Sequence, residues 1–143
     1  MKKHNGFTLI ELLAIIVILA IIAVITVPVI LNVIDNAKKG AAKSSAYGYK
    51  DSVNKYYYKN LMGENGDFEF DGRYSVNDDG FLSGINSLGN EVVYTIGFNG
   101  KKPDGGFVNI VESEISNGCL QFDEFAVPIK KSEVLEPVKA KCD

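Results

Sequence analysis

Gly6-Phe7-Thr8-Leu9-Ile10-Glu11 leads directly into twenty uncharged residues, Leu12–Leu31, and the reading of this stretch decides the rest of the chain. Eighteen of the twenty are apolar; only Thr26 and Pro28 interrupt. As a helix the run spans about 30 Å, the thickness of a bilayer's hydrocarbon core. Its Ile and Val are mediocre helix formers in water. In lipid the backbone has no partner but itself, so the helix is the expected form. One carboxylate, Glu11, stands at the mouth of the run. A plain anchor has no use for an acid there, because charged groups inside a membrane cost free energy and are retained for a purpose. Pro28 lacks the N–H that would reach the carbonyl of Val24, which predicts a kink or a locally weakened turn.

Working outward, Lys2 and Lys3 precede the motif, and Lys38, Lys39 and Lys43 follow the apolar run. The charge count is therefore equivocal about orientation. A cleaved secretory peptide would have a shorter apolar segment with a small-residue cut site behind it, and none is evident. Beyond the run the period stays helical to Asn60 or Leu61. Ala42, Ala46, Tyr49, Val53, Tyr56, Tyr57 and Asn60 form a stripe that should pack under a sheet. In the Tyr56-Tyr57-Tyr58 triplet this spacing makes two of the three core residues. Ala37, Ala41, Ser44 and Gly48 form a second face, small enough for another helix to approach.

After Gly63 the period changes to two. Asp67–Asp71, Glu91–Phe98 (with Val93, Thr95 and Gly97 on one side), Phe107–Val111, Cys119–Phe125 and Phe125–Ile129 are the candidate strands. Asn77-Asp78-Asp79-Gly80, Asn99-Gly100 and Pro103-Asp104-Gly105-Gly106 are the turn signals between them. The expectation is an α+β fold: a long N-terminal hydrophobic helix, half transmembrane and half amphipathic, packed against a C-terminal antiparallel sheet of about four strands.

The quoted stretch resembles the processing site of type IV prepilins and pseudopilins. In that family a dedicated peptidase cuts on the cytoplasmic side between Gly and Phe, and the new terminal amine is usually methylated. The matching residues are Gly6 before the cut, Phe7 after it, then Thr8, Leu9, Ile10 and Glu11, with Lys2 and Lys3 in the leader; Asn5 stands where a Lys is common. The resemblance implies four regions: a leader at 1–6, a transmembrane and assembly helix at 7–31, its amphipathic continuation at 32–62, and a globular β-sheet domain at 63–143. It implies a structural subunit of an extracellular filament, inserted in the cytoplasmic membrane as a single-pass precursor and then polymerised through the helix. Phe7, Glu11 and Pro28 would serve assembly, with Glu11 paired to the Phe7 amine of a neighbouring copy and the helix melting near Pro28. The implied partners are other copies of the chain, the prepilin peptidase, an assembly ATPase, membrane platform proteins and, before assembly, membrane lipid. The alternative is a membrane-anchored extracytoplasmic binding module that never polymerises.

Cys119 and Cys142 are the only cysteines, and both fall in the segment that would be exported. An even count in an oxidising compartment favours a disulfide, and the family often closes its C-terminal region with one. Two free thiols are the other reading.

Composition excludes several function classes. The net charge is −3, and loss of Lys2 and Lys3 would make it −5, so no direct nucleic-acid binding is expected. The single histidine, His4, lies in the expected leader, so a processed chain has none for Ser/His or Cys/His catalysis or for a His-bearing zinc site. Neither G-x-G-x-x-G nor G-x-x-x-x-G-K-[ST] occurs. No enzymatic activity, cofactor or metal is expected. Asp67, Glu69, Asp71, Gly72 and Asp78 imitate part of a calcium loop, but Glu69 and Asp78 stand where Asp or Asn and a bidentate Glu belong. Strand and turn explain the same residues better.

Overall fold

The structure, a computed structural model, describes residues 6–63 and 68–143. Contacts divide the chain into two units, residues 1–37 and 38–143. One helix, α1 (Leu9–Leu61), contributes to both. Eight strands follow among the described residues: β1 (Gly72–Val76), β2 (Leu82–Asn86), β3 (Glu91–Tyr94), β4 (Gly105–Val111), β5 (Glu114–Phe122), β6 (Phe125–Lys130), β7 (Glu133–Val134) and β8 (Val138–Lys139). The fold is α+β, with an open antiparallel sheet.

Among the described residues of the first unit nothing covers the helix. Every apolar residue from Leu9 to Ile34 is exposed, and the most apolar eighteen-residue window of the helix has a mean hydropathy of 3.3. By length and composition this helix can cross a membrane. Helical structure continues through Pro28. Just before it, the Thr26 hydroxyl donates back to the carbonyl of Ile22 at 3.0 Å, the local bond a hydroxyl makes on an apolar helix.

In the second unit the expected stripe forms. Ala42, Ala46, Tyr49 and Val53 are buried, and Tyr56 and Tyr57 pack at the margin of the core while Tyr58 is exposed. The small-residue face divides. Ala37, Ala41 and Ser44 are exposed, but Gly48 lies under the ring of Phe98, where a Cβ would stand 2.8 Å from the ring edge. The chain's own aromatic ring occupies that end of the face.

The strand order is β3-β2-β1-β4-β5-β6-β7, and β8 pairs with the other half of the β6 edge. The pairing places alternate residues in rows beneath the helix. Tyr94, Leu82, Val76, Gly106, Leu120 and Val127 make one row; Val92, Gly84, Tyr74, Val108, Gly118 and Ile129 make the next. Gly118 is required by close approach, since a Cβ there would meet the Phe107 carbonyl at 2.5 Å. Aromatic rings concentrate at one end of the core, where Tyr56, Phe68, Phe70, Tyr74 and Tyr94 meet at centroid distances of 5.1–6.1 Å. The buried hydroxyls stay satisfied: Tyr49 donates to the Gly80 carbonyl at 2.7 Å and Tyr74 to the Phe70 carbonyl at 3.0 Å.

The sheet has twice the strands that the sequence pattern suggests, and the turns explain why. Glu112-Ser113 and Lys131-Ser132 turn with positive φ at both residues, and Asp123 turns with φ near 50°. Tight hairpins of this kind usually announce themselves with Asn or Gly, and these do not. Gly105 and Gly106, expected in a turn, lie inside β4. Residues 68–71 belong to no strand, although Phe70 is buried. Val93, Thr95 and Gly97 do share one side, and it faces solvent while Tyr94 and Ile96 point inward.

Candidate functional site

The processing motif lies where the chain enters α1. Gly6, Phe7 and Thr8 precede the helix and are exposed, with Phe7 at 86%. A Cβ built on Gly6 would meet nothing within 4 Å. Among the described residues, then, no packing demands a glycine there. Residues 1–5, with Lys2, Lys3, His4 and Asn5, lie outside the described residues.

Glu11 is engaged within its own chain. One of its carboxylate oxygens accepts both the Thr8 backbone N–H and the Thr8 hydroxyl, each at 2.8 Å. The Glu11 N–H in turn lies 3.4 Å from the Thr8 hydroxyl oxygen. Thr8 is the residue before the first helical turn and Glu11 the third within it, so this is a capping box. It satisfies N–H groups that every helix start leaves unpaired. It also places negative charge at the positive end of the helix dipole. The carboxylate thus has a use within its own chain. The sequence carried the signal in Thr8-x-x-Glu11, a capping pattern ahead of an apolar run.

The second unit bears its own clasps. Cys119 on β5 is joined to Cys142 near the C-terminus, with Cα atoms 5.6 Å apart. Around the bridge, the Gln121 side chain accepts from the Cys142 N–H at 3.0 Å and donates to the Ala140 carbonyl at 3.2 Å. Glu136 pairs with Lys43 and, at 4.0 Å, with Lys39. The Lys43 ammonium, as hydrogen-bond donor, holds the Glu136 carboxyl below its ordinary range; Glu136 in turn holds Lys43 up. Glu124 lies 3.8 Å from both Lys38 and Lys139.

The residues that imitate a calcium loop are otherwise employed. Asp71 accepts the N–H of Glu112 at 2.9 Å and of Ser113 at 2.8 Å, anchoring the glycine-free β4–β5 turn. Glu69 accepts from the Ser87 hydroxyl. Asp78 is exposed in the turn between β1 and β2. Asp67 lies outside the described residues.

Residues 1–27 match the family model described as the prokaryotic N-terminal methylation motif, the signature of type IV pilins and pseudopilins. Searches against curated proteins and against solved structures give no match. The motif supports a type IV pilin-like precursor processed at its N-terminus, and with the long apolar helix it fits a membrane-anchored precursor.

Proposed function

We propose that this chain is a structural subunit of a type IV pilus-like extracellular filament. The observation that carries the reading is an apolar helix exposed from Leu9 to Ile34 and headed by a single carboxylate. So much apolar surface needs a cover. Lipid covers it in the precursor, and other copies of the same helix cover it in the filament. Prepilin peptidase cuts between Gly6 and Phe7, and the Phe7 amine is then methylated. The regions are the leader 1–6, the assembly helix 7–31, its continuation 32–62 and the domain 63–143. Transfer from membrane to filament is driven by an assembly ATPase and a membrane platform. The chemistry belongs to those partners; this chain is substrate and building material, not an enzyme.

In this reading Glu11 exchanges partners. In the membrane it caps its own helix through Thr8; in the filament it meets the Phe7 amine of a neighbour. An ion pair among apolar helices is strongly destabilised when one member is missing, so the pair selects register during assembly. Pro28 weakens the turn through which the helix locally unwinds when packed among other copies.

The test is an intact mass with N-terminal fragmentation on material sheared from the cell surface. The expected species starts at N-methylated Phe7 and lacks two hydrogens for the Cys119–Cys142 bridge. Gly6→Leu should keep the leader and abolish surface filaments. Glu11→Ala should be cut yet fail to assemble. A wild-type chain that keeps Met1 and is found only in membranes overturns the proposal in favour of an anchored, non-polymerising binding module.

A further inference from the structure

An asparagine followed by glycine is chemically labile. The glycine nitrogen can attack the asparagine side-chain amide, because glycine has no side chain to hinder the approach and takes up the bent backbone that the attack requires. The sequence holds this step four times, at Asn5-Gly6, Asn65-Gly66, Asn99-Gly100 and Asn117-Gly118. Asn5 and Asn65 lie outside the described residues. The other two steps meet opposite surroundings.

Asn99 and Gly100 are exposed in a bend between β3 and β4 and belong to no strand. Among the described residues neither the Asn99 amide nor the Gly100 N–H has a hydrogen-bond partner. Packing explains the glycine. The Phe98 ring lies against both Gly48 and Gly100, where a Cβ would stand 2.8 Å and 2.5 Å from it. Phe98 also meets Tyr49 edge-on, with ring centroids 6.1 Å apart. The glycine that makes room for Phe98 is thus the one that makes Asn99 labile. Asn117 is exposed too, but it sits in β5, which is paired on both sides. Asn117 stands opposite Asn109 and Lys130, and Gly118 opposite Val108 and Ile129. The Asn117 side chain accepts the Lys131 N–H at 3.3 Å and donates to the Ser116 hydroxyl at 3.2 Å. An attack there requires β5 to open first. Exposure does not separate the two steps; backbone pairing does.

We infer that Asn99 is a site of spontaneous self-modification, selected by the fold over Asn117. The Gly100 nitrogen forms a bond to Asn99 Cγ and gives its proton to solvent. The Cγ–Nδ2 bond breaks, and Nδ2 takes up a proton and leaves as ammonia. Water then opens the cyclic imide at either of its carbonyls, which leaves aspartate or isoaspartate. The sum is water consumed and ammonia released, with nothing oxidised or reduced. In the isoaspartate product the main chain runs through Cβ, which lengthens the link between Phe98 and Gly100 by a methylene and sets a carboxylate beside them. The seat of Phe98 fits the original spacing, so the product loosens the hold of this loop on α1. The chemistry needs only the folded domain and is independent of polymerisation.

The experiment incubates the full-length chain, disulfide intact, in detergent at mildly alkaline pH, with and without urea. Peptide fragmentation then locates the mass gain of an amide turned into an acid. In the folded chain Asn99 should convert steadily and Asn117 at least about tenfold more slowly, the equivalent of about 1.4 kcal/mol for opening the strand. In urea the two rates should converge. Asn99→Gln, whose longer side chain closes a less favourable ring, should stop the gain at this position and leave Asn117 as it was. The converted wild-type chain should unfold at lower urea than the Asn99→Gln chain incubated beside it. Equal rates at the two sites in the folded chain, or an Asn99 that reacts only in urea, overturn the site. A converted chain as resistant to urea as the variant overturns the loosening of Phe98.

Discussion

Ile18 and Tyr49 stand on the same helix and meet opposite fates. Ile18 is 57% exposed; Tyr49 is fully buried beneath the sheet and bonded to the Gly80 carbonyl. Among the described residues, the first half of α1 is apolar on all sides and exposed along its length. The second half is apolar on one stripe and covered along it. What separates them is the solvent each is built for. An all-round apolar helix fits lipid or the interior of a helical bundle. A striped one fits the surface of a water-soluble domain.

The sharpest way to break this comparison is truncation on both sides of it. Tyr49→Ala should destabilise the domain by about 3–5 kcal/mol, the usual cost of emptying a large aromatic site. Ile18→Ala should leave domain stability unchanged. Urea unfolding of the full chain in detergent, followed by near-ultraviolet circular dichroism, reads both. Equal losses would show that the two halves share one core, against the division described above. The Tyr49 and Tyr74 phenols sharpen the test, because burial raises both pKa values. Their stabilising contribution is complete below the ordinary tyrosine pKa of about 10 and is lost as pH climbs beyond it. The wild-type domain should therefore unfold in strong alkali.

A smaller effect is expected at the clasp. Replacing Cys119 and Cys142 together by Ser frees a link across 23 residues and should cost about 3 kcal/mol on the chain-entropy model. The loss should fall on the domain alone and leave membrane insertion as it was. Reduced insertion would mean that the two regions are coupled.

The smallest effect is expected at the exposed ion pair. Glu136 is lowered below its ordinary 4.5, so its contribution is present above that pH and fades as pH falls through the folded-state value. Lys43 is raised above its ordinary 10.5, so its contribution is present below that pH and is lost in alkali. Glu136→Gln should flatten both limbs of the stability profile slightly and leave the middle nearly level, since exposed pairs are weak. A steep change at neutral pH would mean that the pair does more than clasp the surface.

Legibility followed the range of the interactions. The long helix, its buried stripe from Ala42 to Tyr57 and the antiparallel sheet are periodic features, and period survives in sequence. β1 and β2 were harder to see. Gly84 interrupts β2, and residues 68–71 of the expected alternation belong to no strand, although Phe70 is buried. The Glu112-Ser113 turn is specified by Asp71, about forty residues earlier, so no local window contains its cause. The use of Glu11 as a cap was legible in Thr8-x-x-Glu11 all along, overshadowed by its place in a larger motif.

By itself, then, the sequence determined the apolar span, the processing motif, the helix stripe and the α+β class, because each rests on residues close in the chain or evenly spaced along it. Tertiary structure alone decided the strand order, the anchoring of a glycine-free turn by Asp71, and the seat of Phe98 on Gly48. Each of these depends on which distant segments pack together, and close packing in three dimensions is not encoded at any single position.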